Sequence, residues 1–496
     1  MIASLPSGRD LLSEDAVSQD YAWPRRLVFA LGLLLPLFYL FRVQTGGDQI
    51  KLLLVGWEFY TTGDLPPFGT VLSQGGLLPG SLTGLLVGLP LYLAESYLLI
   101  NLSILLFHIV AWLILDRVLR GILSPRERLL YTILYWVNPW RVYHSLFLWN
   151  PNWVFFFAAV HFWTLFRQRR EASFLASLVQ VLSAGLLFEL HGSFLVLVLL
   201  SALLWLRGYQ RIHWGGILLG IVLSAAVLYP WLQAVLADPA IRPTQSGYPG
   251  RGLLKGNPLR TLLYWIRMSS FYFSGRMMDY DFSPDLGASV QSWLGPLVRL
   301  FNMVVGVISA LFVVLANVRL WGQESPLRFG RLSPDATDRE WLVGLVRWGL
   351  LAALVTYILS PVAVMHYQVL VVFHLAILPL VFWLGRDSLL PAFPRIWKSI
   401  VALCAFFILV QGIASPMYRK GGHDPFLVDL REPCPMLDRI GASRTGIVRI
   451  DPERGFVPDI IWLSDTNGRT LTPEQLQKAD ERGRRHMEDV KRRARR

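Results

Sequence analysis

The chain has 496 residues, 54% of them hydrophobic and 16% charged, with a mean hydropathy of +0.45. That excludes an ordinary water-soluble protein, in which about a quarter of residues are charged. The net charge of +13 does not call for nucleic acid. The basic residues cluster between apolar runs, where the positive-inside rule puts them, and others suit anionic lipid headgroups.

Residues 1–26 are polar and acidic and close on Arg25-Arg26, which predicts a cytoplasmic N-terminal segment. The apolar run behind them has no small-residue cleavage site and reads as an anchor rather than a leader. Runs of span length recur from Leu27 to Ser415. At about 20 residues per span they leave room for roughly ten to twelve helices. The expected fold is therefore an all-α polytopic membrane domain over 27–415 with about eleven transmembrane helices, followed by a small soluble tail, 416–496.

Span one, 27–43, runs outward. Segment 44–97 stays on the far side, punctuated by Asp48, Lys51, Glu58, Asp64, Pro66-Pro67 and Gly75-Gly76. It predicts two short interfacial helices, roughly 48–62 and 80–94. The uncharged stretch 77–94 is alternatively a true span, which would invert everything downstream; the basic loops favour the interfacial reading. Span two, about 98–116, ends at Arg117 and Arg120, and span three, 129–149, runs out to Trp149-Asn150-Pro151-Asn152. Spans four (153–166), five (173–189) and six (193–206) follow, with a tight turn at Glu189-Leu-His191-Gly192. Span seven, 214–236, passes through Pro230-Trp231 into a second long outer loop, 237–291. Spans eight (about 292–317), nine (341–360), ten (368–385) and eleven (396–415) complete the set. Eleven spans put the tail outside, although its end, Lys491 to Arg496, is strongly basic. The tail has strand-like pieces at 445–450 and 459–463, and Thr472-Pro473 is an N-cap and first-turn signal. Cys404 lies in an apolar run and Cys434 in the tail, so no disulfide is expected. No repeat or low-complexity tract is present.

Asp48 is the most informative residue. A carboxylate six residues past Arg42, at the mouth of the first span, points to a catalytic base facing the far side of a membrane. The order of features extends this. Asp48-Gln49 is followed sixteen residues on by Gly63-Asp64, then by Leu78-Pro79, Asn150-Pro151, the turn Gly185 to Gly192 containing His191, and Pro230-Trp231. This series resembles the GT-C superfamily of polyprenyl-phosphate-sugar-dependent glycosyltransferases, in the branch of protein O-mannosyltransferases and the lipid A aminoarabinose transferase. The resemblance covers roughly 27–385. The chain departs from the branch pattern at Gln49 (for Glu), Leu78 (for Lys), Asn150 (for Asp) and His191 (for Lys). These changes bear on the phosphate contact and the second carboxylate, and suggest a different donor or acceptor.

The resemblance implies sugar transfer at the extracytoplasmic face of the cytoplasmic membrane, with inversion, from a polyprenyl-phosphate donor to a hydroxyl of a protein, lipid or glycan acceptor. Asp48 would take the acceptor proton. Basic groups would stabilise the leaving phosphate. The second outer loop offers Arg242, Arg251, Lys255, Arg260 and Arg267 as clamps, and other outer span ends offer Arg141, His144, Asn150, His191 and the His366-Tyr367 pair. The resemblance gives a tyrosine near the last position a contact with the donor phosphate. Asp64 and Glu58 complete the substrate-binding set.

Each residue also has a plainer reading. Asp48 as an interfacial carboxylate, Asp64 as a helix-end cap, Glu189 and His191 satisfying one another, and Arg141, Arg251, Lys255, Arg260 or Arg267 on lipid headgroups are all ordinary chemistry. Glu58 is a rival base. His108, His161 and His374 lie inside apolar runs and suit satisfied core positions. Asp279, Asp281 and Asp285 form an acidic loop with the oxygen chemistry hard cations favour, although a solvated loop is the commoner meaning. No cofactor is required, and a divalent metal is compatible. The rival functions are a polytopic lipid-linked-sugar transporter or flippase, which should show repeats and mid-membrane charges, and an inactive scaffold of the same fold.

Overall fold

The structure, a computed structural model, describes residues 21–40, 47–71, 77–94, 97–145, 147–237, 257–270, 288–323, 330–360 and 364–414. Apolar runs become helices because hydrocarbon offers no partner to a backbone N–H or C=O, so each must be satisfied within its own segment. In chain order these are α1 (Ala22–Leu40), α2 (Gly47–Thr62), a hairpin of β1 (Phe68–Val71) and β2 (Leu77–Pro79), α3 (Ser81–Leu91), α4 (Tyr97–Leu119), α5 (Pro125–Trp136) and α6 (Pro139–Tyr143). A 3-10 turn, Asn150–Trp153, leads into α7 (Val154–Arg167), then α8 (Phe174–Leu190), α9 (Phe194–Leu206), α10 (Trp214–Ala237), α11 (Pro258–Ser269), α12 (Ala288–Gln323) and α13 (Asp338–Ile358). The last stretch is α14 (His366–Val369), α15 (Phe373–Ala376), α16 (Leu378–Leu384) and α17 (Phe393–Ala414).

Among the described residues, six helical stretches are long and apolar enough to cross a membrane: 99–119, 214–237, 293–322, 338–358, 366–384 and 387–410. α3, α8 and α9 are apolar but shorter. The molecule is an integral membrane protein of helical type; of the expected eleven spans, six meet this length and apolarity among the described residues. The expectation fails most clearly at 129–149. That run is two helical pieces and a turn, because Pro139 cannot continue the ladder of α5 and Asn138 caps a new start, its Oδ1 accepting the Trp140 N–H at 2.9 Å. Expected span ten is likewise segmented, with a 3-10 turn at Leu370–Val372 between α14 and α15.

The two short helices expected near 48–62 and 80–94 are α2 and α3. α3 has eleven residues, about 16 Å of rise, against a hydrocarbon core about 30 Å thick. The two helices pack closely: a Cβ at Gly88 would sit 2.6 Å from the Gly56 carbonyl oxygen. Between them the chain turns out of α2 at Gly63, whose φ of 77° is the left-handed cap conformation that glycine favours. β1 pairs antiparallel with β2, Phe68 opposite Pro79.

One end of the bundle is basic and cross-linked. Asp116 at the end of α4 meets Arg25, Arg120 and Arg128. Asp338 at the start of α13 holds Arg169 and Arg170, and Glu127 holds Arg339. Between α7, α8 and α9 a buried polar chain runs from Ser177 through Gln168 and Gln180 to Ser201 and His161. It joins helices where the apolar effect between them is weak.

Candidate active site

The site lies where the chain emerges from α6, α8 and α13, at the end away from the basic loops. α8 starts beside Arg169 and Arg170 and delivers Glu189 and His191 one length away. His191 follows the helix as its C-cap, with its N–H donating to Leu187 O at 2.7 Å. Its Nδ1 accepts the Ser193 N–H at 3.2 Å and meets Ser193 Oγ at 2.8 Å. Burial holds the imidazole down at about 4, so the ring is neutral at pH 7 and its proton sits on Nε2.

The break after α6 delivers a second group. His144 caps α6 and donates from Nδ1 to Asn152 Oδ1 at 2.7 Å. Trp149 stacks on His144, centroids 5.8 Å apart at 8°. Asn150 donates from Nδ2 to Leu190 O at 3.1 Å, which pins the break against the end of α8.

The start of α14 supplies the third group. Tyr367 stands edge-on to Trp149 at 5.1 Å and to His191 at 5.7 Å. His366 lies 5.9 Å from His144 and 5.5 Å from Trp140. Thus five expected residues, His144, Asn150, His191, His366 and Tyr367, converge. His144, Asn150 and His191 are buried, while Trp149, His366 and Tyr367 are half-buried. The result is a rigid aromatic floor with an accessible lip.

A fourth wall comes from α11, started by Asn257, whose Oδ1 accepts the Leu259 N–H at 2.9 Å. Tyr264 lies 6.2 Å from His366. The Arg267 guanidinium sits 5.6 Å from the Tyr264 ring and 5.9 Å from the Trp140 ring. Among the described residues it is the arginine that shares ring neighbours with His366. Sequence reasoning placed Arg267 among several clamps without distinguishing it; the i, i+3 spacing of Tyr264 and Arg267 on one helix was the available signal. It missed Trp140, Trp149 and Tyr264, which carry no sequence mark beyond being aromatic.

Other expected residues lie elsewhere. Arg141 is not at the lip. It is fully buried, donates from Nη2 to Gly32 O at 3.0 Å and to Trp136 O, and lies 3.9 Å over the Trp136 ring. The Trp136 carbonyl, freed where α5 breaks at Pro139, and the Gly32 carbonyl, freed because Pro36 of α1 has no N–H, hold it there, and it ties α1 to that break. Arg260 is exposed in the first turn of α11. Glu189 and His191 do not satisfy one another: the Leu82 N–H donates to Glu189 Oε2 at 2.7 Å, while His191 turns to Ser193. That bond fastens the start of α3 to the end of α8, beside the cluster.

On α2, Glu58 is half-buried, and burial, then the neighbouring Asp64, push its carboxyl up to about 6. Asp64 is exposed just past the Gly63 cap, its N–H donating to Thr62 Oγ1 at 3.1 Å. Asp48 lies in the first turn of α2, and its side chain lies outside the described residues. Ten residues of helix amount to about 15 Å of rise, so Asp48 and Glu58 cannot serve the same reacting atom. Arg242, Arg251, Lys255, Asp279, Asp281, Asp285 and the tail also lie outside the described residues. Among the described residues, no group of three or more His, Cys, Asp or Glu is arranged to hold a metal ion.

No protein-family model and no curated protein matches the chain. Among solved structures it is similar to ArnT from Cupriavidus metallidurans. The apo crystal structure aligns with a TM-score of 0.47 and 16% identity, covering 88% of this chain and 73% of that one. The crystal structure bound to undecaprenyl phosphate aligns with a TM-score of 0.49 and 11% identity, covering 91% and 87%.

Proposed function

We propose that this chain is a membrane glycosyltransferase that moves a sugar from a polyprenyl-phosphate carrier to an acceptor hydroxyl at the extracytoplasmic face. One observation supports this most: the convergence of His144, Trp149, Asn150, His191, His366 and Tyr367 next to the anchored start of α3. Such a site has aromatic faces for a sugar ring, one imidazole N–H, His191 Nε2, free to donate, an imidazole acceptor in His144 Nε2, and a nearby cation. Positive-inside orientation puts it on the side away from the basic loops.

In this reading the acceptor oxygen attacks the anomeric carbon in line with the departing phosphate oxygen, so configuration inverts. The acceptor proton passes to a carboxylate on α2. Asp48 is the assigned base. Glu58 is the alternative, favoured by a carboxyl raised to about 6, nearer to a working pH than an ordinary glutamate. Arg267 and the Tyr367 hydroxyl stabilise charge on the leaving phosphate. No metal is needed for that step, although a divalent ion at Asp279, Asp281 and Asp285 is compatible with it. The sugar and the acceptor, whether protein, lipid or glycan, are not specified by these residues.

The test is transfer of radiolabelled sugar from purified polyprenyl-phosphate sugars to cell-envelope acceptors. Wild type, Asp48→Asn and Glu58→Gln would be compared. Loss of turnover in one variant identifies the base. Equal transfer in all three sinks both base assignments, and donor binding without turnover in wild type favours an inactive scaffold.

A further inference from the structure

The basic end holds a cavity of about 460 Å³ that the proposed transfer does not use. It is built where the start of α5, the end of α12, the start of α13 and the end of α16 meet. Arg126, Arg319, Arg339 and Arg386 line it, with Glu127 and Asp387 as the only carboxylates among its lining residues. Among the described residues that line it, four guanidiniums face two carboxylates.

The pairing pattern makes that excess local. Glu127 is engaged by Arg339 at 2.8 Å and Asp387 by Arg126 at 2.6 Å. Arg126 Nη1 is nonetheless buried with no hydrogen-bond partner. Arg319 makes no ion pair among the described residues and lies 5.8 Å from the Trp383 ring. Both nearby helix starts are already closed by their own capping boxes, Ser124 with Glu127 and Thr337 with Glu340. The cavity's affinity for an anion therefore rests on the arginines.

Apart from Ser124, the uncharged lining is largely apolar, with Ala316 and Leu320 of α12 and Pro379 and Phe382 of α16. Beside them the Leu311, Leu315 and Val318 side chains of α12 are exposed, as they would be against acyl chains. A guanidinium cluster beside a lipid-facing helix fits a phosphate that carries its own hydrocarbon. We propose that this cavity binds the phosphate of an anionic membrane lipid at the basic surface, on the face opposite the candidate active site. The proposal rests on the chain spanning a membrane and is independent of the transfer reaction.

The full chain would be purified in detergent and titrated with phosphatidylglycerol or phosphatidylcholine, with bound lipid counted by native mass spectrometry. Wild type should prefer phosphatidylglycerol by about tenfold, the order expected of one or two guanidiniums at a phosphate. The Arg319→Gln/Arg386→Gln protein should fall to within about twofold of no preference, with an unchanged unfolding temperature. Should that pair not fold, Arg319→Gln alone serves, because Arg319 is exposed. A charge-matched control, Arg117→Gln/Arg211→Gln, removes two exposed arginines outside the cavity and should keep the preference. An equal loss in the control, or a retained preference in the cavity variant, overturns the proposal. Displacement of the lipid by inorganic phosphate at similar concentration would make the ligand a free phosphate and overturn the lipid assignment.

Discussion

The Glu189 carboxylate accepts the Leu82 N–H at 2.7 Å across 107 residues of sequence. It thereby supplies from another helix the cap that Gly80, with no side chain, cannot give α3. A helix start leaves its first N–H groups unsatisfied, and the Leu82 amide is one of these in α3. Glu189→Ala removes the acceptor and leaves a buried donor unmet, at a cost of about 1–3 kcal/mol. The Leu82 amide should lose hydrogen-exchange protection far more than amides in α13. Glu189→Gln, which keeps a carbonyl acceptor, should lose much less. Equal protection in the alanine variant would remove Glu189 as the anchor of the helix pair.

Glu58 sets a pH dependence. Its carboxyl is raised from 4.5 to about 6, first by burial and then by Asp64. A raised carboxyl favours the protonated fold. Its contribution is fully present below pH 4.5 and is lost as pH rises through about 6. Glu58→Gln is neutral at every pH, so its unfolding temperature relative to wild type should climb between pH 4.5 and 6 and then level off. A difference curve that is flat across that window rules out the shifted carboxyl.

Sequence patterns placed the starts of α2 and α3 within one residue and the end of α3 within three, because prolines and glycines punctuate that loop and the basic loops downstream favour the interfacial reading over a span. The helix ends of α8, α9 and α10 were equally legible from their flanking arginines and caps. The region 129–149 was not. Apolar residues flank Asn138-Pro139 on both sides and mask the turn signal of that pair, and the break depends on Pro139 acting with Asn138, whose Oδ1 meets the Trp140 N–H while its Nδ2 donates to Met268 O at 3.1 Å in a distant helix. Site residues at span ends were legible as polar exceptions, which is why His144, Asn150, His191, His366 and Tyr367 were found. Arg141 was found for the same reason and misplaced, since its burial depends on the break that folds it back over Trp136 and on the distant Gly32 carbonyl.

The α2–α3 contact depends on the absence of a side chain. A Cβ at Gly88 would lie 2.6 Å from the Gly56 oxygen and 2.7 Å from the Phe59 ring. The first of these is backbone and cannot swing aside. Gly88→Ala should therefore part the helices, at an overpacking cost of about 1–3 kcal/mol. A cysteine pair placed across this contact would then cross-link more slowly than in the wild-type background. Unchanged cross-linking would mean that the helices slide rather than separate.

Tyr367 offers the sharpest separation of packing from chemistry. Its ring meets Trp149 at 5.1 Å and His191 at 5.7 Å, and Phe keeps both contacts. If the hydroxyl meets the leaving phosphate, Tyr367→Phe should lower kcat by about tenfold to a hundredfold, at or below the usual effect of one lost oxyanion donor, with little change in KM or unfolding temperature. Arg267→Lys keeps the charge but loses the planar fork that matches a phosphate, and should reduce kcat by at least about tenfold. If the two act on the same oxygens, the double variant will lose less than the product of the single losses. Independent, multiplicative losses would place the two side chains on different groups of the substrate, and a silent Tyr367→Phe would confine Tyr367 to supporting the aromatic floor.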